Sequence, residues 1–178
     1  MSLPDHLEAH LGTIQGGWRT APDGVPLGFQ VVELHGGVPL TCAYATLGLG
    51  VHTGQELVLL VPDDADLDGW PAAVLIQVAA DVLDRHAPLP WRGLVSYEGA
   101  LLGSDKTTLY VAQPTFADDA FAVCKEPFGT VAIAWLVPVT AAEADHVRTH
   151  GAEAFEDLLV EQEADAIDVF RPPVRGLG

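Results

Sequence analysis

The stretch TVAIAWLVPVTAAE, from Thr130 to Glu143, decides the fold, because a strand, its stop and a helix start follow one another within it. Thr130 to Val137 is rich in β-branched and apolar residues and predicts a buried strand. Pro138 and Thr140 end that strand. Thr140 to Glu143 then has capping-box spacing, in which the hydroxyl and the carboxylate satisfy orphan amides at a helix start. Gly151 separates this short helix from a second, where Phe155, Leu158, Leu159 and Gln162 share one side at i, i+3, i+4 and i+7. Glu153, Glu156, Asp157 and Glu161 line the other side. Val160 projects among them, a lone apolar residue ringed by carboxylates, and is a candidate contact for a cationic partner. A solitary exposed valine is also commonplace.

Working back toward the N-terminus, Thr107 to Ala112 and Phe121 to Lys125 also read as strands, joined by the proline-bearing Gln113 to Asp119 connection. Leu94 to Gly103 fits a strand or a loop. Trp70 to His86 is the most regular helical pattern, with Val74, Leu75, Val78, Ala79, Val82 and Leu83 on one face, and Asp68 or Gly69 is its candidate cap. It follows the apolar strand Leu57 to Val61 and a loop carrying Asp63, Asp64, Asp66 and Asp68. Phe29 to His35 and Leu40 to Thr46 flank Gly36 and Gly37, which suit a tight reversal, so these segments should pair. The sum is an α+β domain spanning 1–178, a central, mainly antiparallel sheet with helices packed on it, and an extended tail over 172–178.

Composition narrows the function. The 178 residues carry 25 acidic and 8 basic side chains, a formal charge of −17, with 49% hydrophobic content. A chain this long and apolar buries enough core to fold without disulfides or metal. The cations are scattered as Arg19, Arg85, Arg92, Lys106, Lys125, Arg148, Arg171 and Arg175. Phosphate backbones and anionic membranes need clustered cations, so nucleic acid and membrane are excluded as partners. Nine carboxylates lie between Glu143 and Asp168 against the single Arg148, which suits a cationic protein partner or simply solubility. No segment has the length of a membrane span, no signal-peptide pattern opens the chain, and a cytoplasmic location is expected. Met1, Ser2 and Leu3 resemble a cloning remnant and are assigned no role.

Leu47-Gly48-Leu49-Gly50 with Gly54 imitates a phosphate loop, but it feeds a strand beginning at Glu56 where a dinucleotide loop must open a helix. His6 with His10, and His146 with His150, stand four apart, yet neither pair has the intervening Glu of a zinc hydrolase or an assignable third ligand. No metal or cofactor is expected. Cys42 and Cys124 sit in strand-like surroundings where thiols are usually structural and inert, although either could in principle meet one of the seven histidines.

An ordered set of segments resembles the suppressor-of-fused domain family, including its bacterial members. It comprises Thr46 to Gly50, then Glu56-Leu57-Val58-Leu59, then Leu136 to Thr140 leading to Glu143, Gly151, Leu158-Leu159, and Asp168 with Arg171. The resemblance implies an α+β fold and a binding role without catalysis. Related animal domains restrain a transcription factor by gripping a short peptide. Bacterial relatives are regarded as immunity proteins that cover a cognate toxin, often a basic nuclease. Of the shared residues, Glu143 reads as a cap, Thr46 and Gly48 as turn formers, and Asp168 with Arg171 as a local exposed ion pair. Glu56 has no evident scaffold duty and joins Glu153, Glu156, Asp157, Val160 and Glu161 as a candidate partner contact. The expected function is protein binding, with a basic toxin domain or an extended peptide as partner. An enzyme with a carboxylate or histidine cleft is the rival.

Overall fold

A computed structural model describes residues 1–65, 67 and 71–177. The candidate cap at Asp68 or Gly69 therefore lies outside the described residues. In chain order the elements are α1 (Leu3–Leu11), β1 (Gly12–Thr20), β2 (Pro26–Gly36), β3 (Thr41–Leu47), α2 (Gly50–Thr53), β4 (Gln55–Pro62), α3 (Pro71–Arg85) and β5 (Leu94–Ser96). Then follow β6 (Lys106–Ala112), β7 (Val123–Glu126), β8 (Gly129–Thr140), α4 (Ala141–His150) and α5 (Ala152–Glu161). The strands form one eight-stranded sheet in the order β1-β2-β3-β4-β8-β6-β5, with β7 also paired to β8. Among the described residues only β4 and β8 run parallel.

Helices cover both faces of the sheet. One core joins the α3 residues Leu75, Val78 and Val82 to Val31, Leu57, Leu59 and Leu136. The other joins Leu7 of α1, Ala144 of α4 and Phe155 of α5 to Leu34, Val58, Leu60 and Ile133. Successive β4 residues thus enter opposite cores, and the strand is buried along nearly its whole length. The sequence segment 94–103 resolves into the three-residue β5 and a 3-10 turn at Leu101–Gly103. Phe121, expected to open a strand, instead packs at 0% exposure in the loop before β7.

Three elements lay outside the sequence reading, α1, β1 and the one-turn α2, which stands between the glycine loop and β4. Ser2, set aside above, is the N-cap of α1: its hydroxyl accepts from the Asp5 amide, and the Asp5 carboxylate accepts from the Ser2 amide. Leu3, Leu7 and Leu11 bury one side of that helix, each contributing about 1.5–3 kcal/mol of apolar burial. Ser2→Ala should accordingly lower the unfolding free energy by about 1 kcal/mol in urea titration. The glycine-rich β1 adds to β2 with two register shifts. Residues 172–177 form neither helix nor strand. Val174 is nonetheless buried, and the Arg175 amide donates to Gln162.

Candidate functional site: an acid-rimmed groove beside the second C-terminal helix

The capping box at the start of α4 is formed as its spacing predicts, with Thr140 and Glu143 bonded reciprocally. Gly151, at φ 91°, lets the chain break between α4 and α5 where a side chain would be strained. The inward side of α5 is anchored by Phe155, wholly buried, whose ring meets Tyr110 edge-on at 5.4 Å. Leu158 and Leu159 are half-buried, while Glu153, Asp157, Val160 and Glu161 are exposed, Val160 at 77%.

Between α5, the turn after it and the neighbouring strands lies a groove of about 720 Å³. Trp135 and Val137 of β8 line it beneath α5, and Trp91 and Phe116 contribute further aromatic surface. Phe116 packs edge-on against Trp135 at 5.1 Å, which fixes both rings. Glu156, Val160, Glu163 and Asp165 supply the α5 side. The one cation in the lining, Arg92, is spent on an ion pair with Glu156 at 2.6 Å. The opposite oxygen of Glu156 accepts from the Tyr110 hydroxyl at 2.7 Å. Burial, followed by that contact with the carboxylate, raises the Tyr110 phenol above its ordinary range. The groove is thus apolar within and acidic at the rim.

The structure redistributes the candidate residues. Glu156 and Val160 line the groove, whereas Glu153, Asp157 and Glu161 belong to the exposed side of the same helix outside its lining. Glu56 is corrected outright: at 0% exposure it cannot touch a partner. Its carboxylate accepts from the Thr46 hydroxyl and from the amides of Gly48 and Gly50 at 2.9 and 2.8 Å. Burial raises its carboxyl above the ordinary value, with those hydrogen bonds pulling the other way. The local Asp168–Arg171 pair is also not formed. Asp168 accepts from the Phe170 amide, and Arg171 turns inward to Glu143, with N···O distances of 2.6 and 3.2 Å. Burial alone would raise Glu143, but Arg171 and the Thr140 and Val174 amides hold it below the usual glutamate value.

The histidine pairs divide. His6 Nε2 lies 3.0 Å from the Phe121 carbonyl and its ring stacks on Phe121, a packing role. His146 is buried with neither ring nitrogen hydrogen-bonded, its ring 4.6 Å from that of His150. Both cysteines are free and buried. Cys42 lies 3.3 Å from His35, a proximity across two strands that spacing along the chain does not reveal. Burial and the nearby Glu33, only partly offset by Tyr44, push the Cys42 thiol up to about 11, so it is no nucleophile as it stands. Sequence reading missed Trp91, Phe116 and Trp135 as groove residues. The available signal was Trp91 itself, an aromatic between Pro90 and Arg92 in a loop, where no core pattern accounts for it.

No helix among the described residues is long and apolar enough to cross a membrane. Comparison with solved structures places the architecture. A Neisseria gonorrhoeae protein designated a SUFU (suppressor of fused protein) homolog superposes with a TM-score of 0.75 at 20% identity, over 95% of this chain and 92% of that one. The Sufu-Fu complex structure gives 0.71 at 15% identity, over 97% and 90%. Drosophila Suppressor of Fused gives 0.63 at 17% identity, covering 82% of this chain but only 42% of its own. No curated protein matches the chain. Residues 39–172 match the family of the Suppressor of fused protein (SUFU). That match runs from the start of β3 through β4, the capping box, α5 and Arg171, the same segments whose order carried the resemblance, and the chain belongs to the suppressor-of-fused family.

Proposed function

We propose that this protein is a non-enzymatic, cytoplasmic binding protein, an immunity protein that neutralises a basic toxin by holding it across the α5 groove. The observation carrying this reading is the pairing of an aromatic groove interior with a carboxylate rim whose only lining cation is already neutralised. Trp91, 44% exposed, and Val160 offer apolar anchors, and the surrounding acid steers a cationic surface toward them. One structural relative is the Sufu-Fu complex, a family member seen with another protein. Against an enzyme, Glu156 is tied to Arg92 and Tyr110, while Glu56, shifted up, and Glu143, shifted down, are buried away from the groove lining.

The test is whether the reading frame beside this gene in its source genome encodes a toxin, and whether this chain protects cells that express it. The wild-type chain should protect. Trp91→Ala should weaken the purified complex by about 2 kcal/mol, and Val160→Arg should abolish protection while leaving the fold intact. Association should also slow markedly with added salt, since steering is screened within about 8 Å at physiological ionic strength. Equal protection by both variants would sink the groove reading.

A strand-adding peptide is the second reading, favoured by β1, a nine-residue strand at the edge of the sheet order, paired among the described residues with β2. Its two register shifts blunt that edge, which places the reading second. Peptide-induced amide protection confined to β1, with Trp91→Ala neutral, would promote it.

A further inference from the structure

On the α3 face of the sheet, β2 and β3 pair with His35 opposite Cys42 and Glu33 opposite Tyr44. The two-residue period puts Glu33 and His35 on one face, and the register sets Cys42 beside both. Burial fades along this face from Val31, fully buried, through half-buried Glu33 to exposed His35, so the cluster stands where core meets solvent. Three donor atoms of different kinds converge there. Glu33 Oε1 is 2.7 Å from His35 Nε2, His35 Nε2 is 3.3 Å from Cys42 Sγ, and Cys42 Sγ is 3.5 Å from Glu33 Oε1.

We propose that Glu33, His35 and Cys42 form a binding site for a zinc-class divalent cation. Tetrahedral zinc, with bonds of about 2.0–2.3 Å, sets a sulfur ligand about 3.5 Å from a nitrogen or oxygen ligand, and the two sulfur separations here already match. The Glu33 and His35 atoms, 2.7 Å apart, need to part by about 0.6–0.8 Å. Thiolate with imidazole selects a borderline-soft transition metal, whereas magnesium and calcium would require an oxygen cage.

The surroundings complete the argument. Thiolate and carboxylate together neutralise a dication, and the Asp63 carboxylate acts electrostatically on the same sulfur. Tyr44, two residues along β3 on the same face, interacts electrostatically with both Cys42 and Glu33. Coordination displaces the thiol proton to solvent. Three protein ligands leave a fourth position, and the 44% exposure of the His35 side chain opens it to water or to a side chain of a bound partner. The site stands on the opposite face of the sheet from the groove, so it rests on neither reading of the partner.

Cobalt(II) is the probe. The full chain, stripped with chelator, should take up one equivalent of cobalt with a near-ultraviolet thiolate charge-transfer band, and zinc should displace it. Cys42→Ser should abolish the band, Cys124→Ser should keep it, and His35→Gln should weaken binding by about tenfold or more. Because His35 is exposed, that variant keeps the test decisive even if Cys42→Ser fails to fold. Substituting His6 or His146 should change nothing. The proposal is overturned by absence of the band in the wild type, by its survival in Cys42→Ser, by its loss in Cys124→Ser, or by unchanged affinity in His35→Gln.

Discussion

Replacing Arg171 with methionine is expected to lower the unfolding free energy by about 3–5 kcal/mol at neutral pH, far more than a surface ion pair is worth. Both side chains are sequestered, Arg171 at 3% and Glu143 at 0% exposure. Methionine keeps much of the volume but leaves a buried carboxylate without its countercharge. The consequences reach further than the pair. Glu143 also accepts from the amides of Thr140 and Val174, and the Arg171 carbonyl accepts from the buried ammonium of Lys106 at 2.8 Å. The Arg171 side chain thus ties the start of α4 to the C-terminal segment, while its main-chain carbonyl, which methionine keeps, ties in the start of β6. Combining Arg171→Met with Glu143→Gln should recover part of the loss, because no uncompensated charge then remains.

The pH dependence gives a second handle on the same pair. Glu143 in the folded wild type lies below its ordinary value of 4.5, so its stabilisation is complete above 4.5 and is lost as pH falls through the depressed folded value. In Arg171→Met both arginine contributions are gone and only the Thr140 and Val174 amides still oppose burial, the largest influence, so the folded carboxyl is expected above the unfolded one. That variant should gain stability as pH falls toward 4.5. The gap between wild type and variant should thus narrow on acidification. Urea titrations across that range check it, and a small, pH-independent gap would mean that the pair carries no structural load.

What could be read from the chain follows the range of the forces involved. The Thr140 cap, the α3 stripe and the α5 faces depend on neighbours within a turn, and spacing alone displays them. The β2–β3 pairing was legible because Gly36 and Gly37 punctuate two apolar runs. In α1, by contrast, Leu3, Leu7 and Leu11 repeat every four residues after a Ser2 cap, a readable signal set aside because of its position at the start of the chain. β1 carries Gly12, Gly16 and Gly17 and has little strand propensity of its own; pairing with β2 supplies its conformation. Arg171 exposes the limit most directly. Asp168 is three residues away and Glu143 twenty-eight, yet Asp168 is occupied by the Phe170 amide and only the distant partner waits buried. The groove failed to show for the same reason, since Trp91, Phe116, Trp135 and Val160 come from four separate segments.

Glu56→Ala should be nearly as costly, about 3 kcal/mol or more, although the wild-type carboxylate makes no ion pair. A lone carboxylate in a strand buried on both faces has to be satisfied internally, and the loop after β3 is shaped to do so. Gly48, at φ 95°, turns its amide toward Oε1, and Gly50 approaches so closely that an added Cβ would meet Val131 at 2.7 Å and Glu56 Oε1 at 3.1 Å. The Thr46 hydroxyl, while donating to Glu56, also accepts from the Leu57 amide at 2.8 Å, which locks the donor direction. Alanine would strand the buried Thr46 and Gly50 donors at about 1–3 kcal/mol apiece and the half-buried Gly48 amide at less, part of which the loop would recover by moving into solvent. Glu56→Gln should cost less than alanine, since one oxygen still accepts from both glycine amides, but more than nothing, because its amide group faces a hydroxyl already donating toward it. Acid acts on Glu56 in the opposite sense from Glu143. A carboxyl raised in the folded state binds its proton more tightly there, so its contribution is most favourable below the unfolded value of 4.5 and declines as pH rises through the raised folded one. Glu56→Gln should remove that part of the pH profile while leaving the Glu143 part in place. The same variant should leave partner affinity unchanged once compared at equal folded fraction, because a residue at 0% exposure acts through the loop it holds. A loss of affinity in a fully folded Glu56→Gln would return this residue to the binding surface.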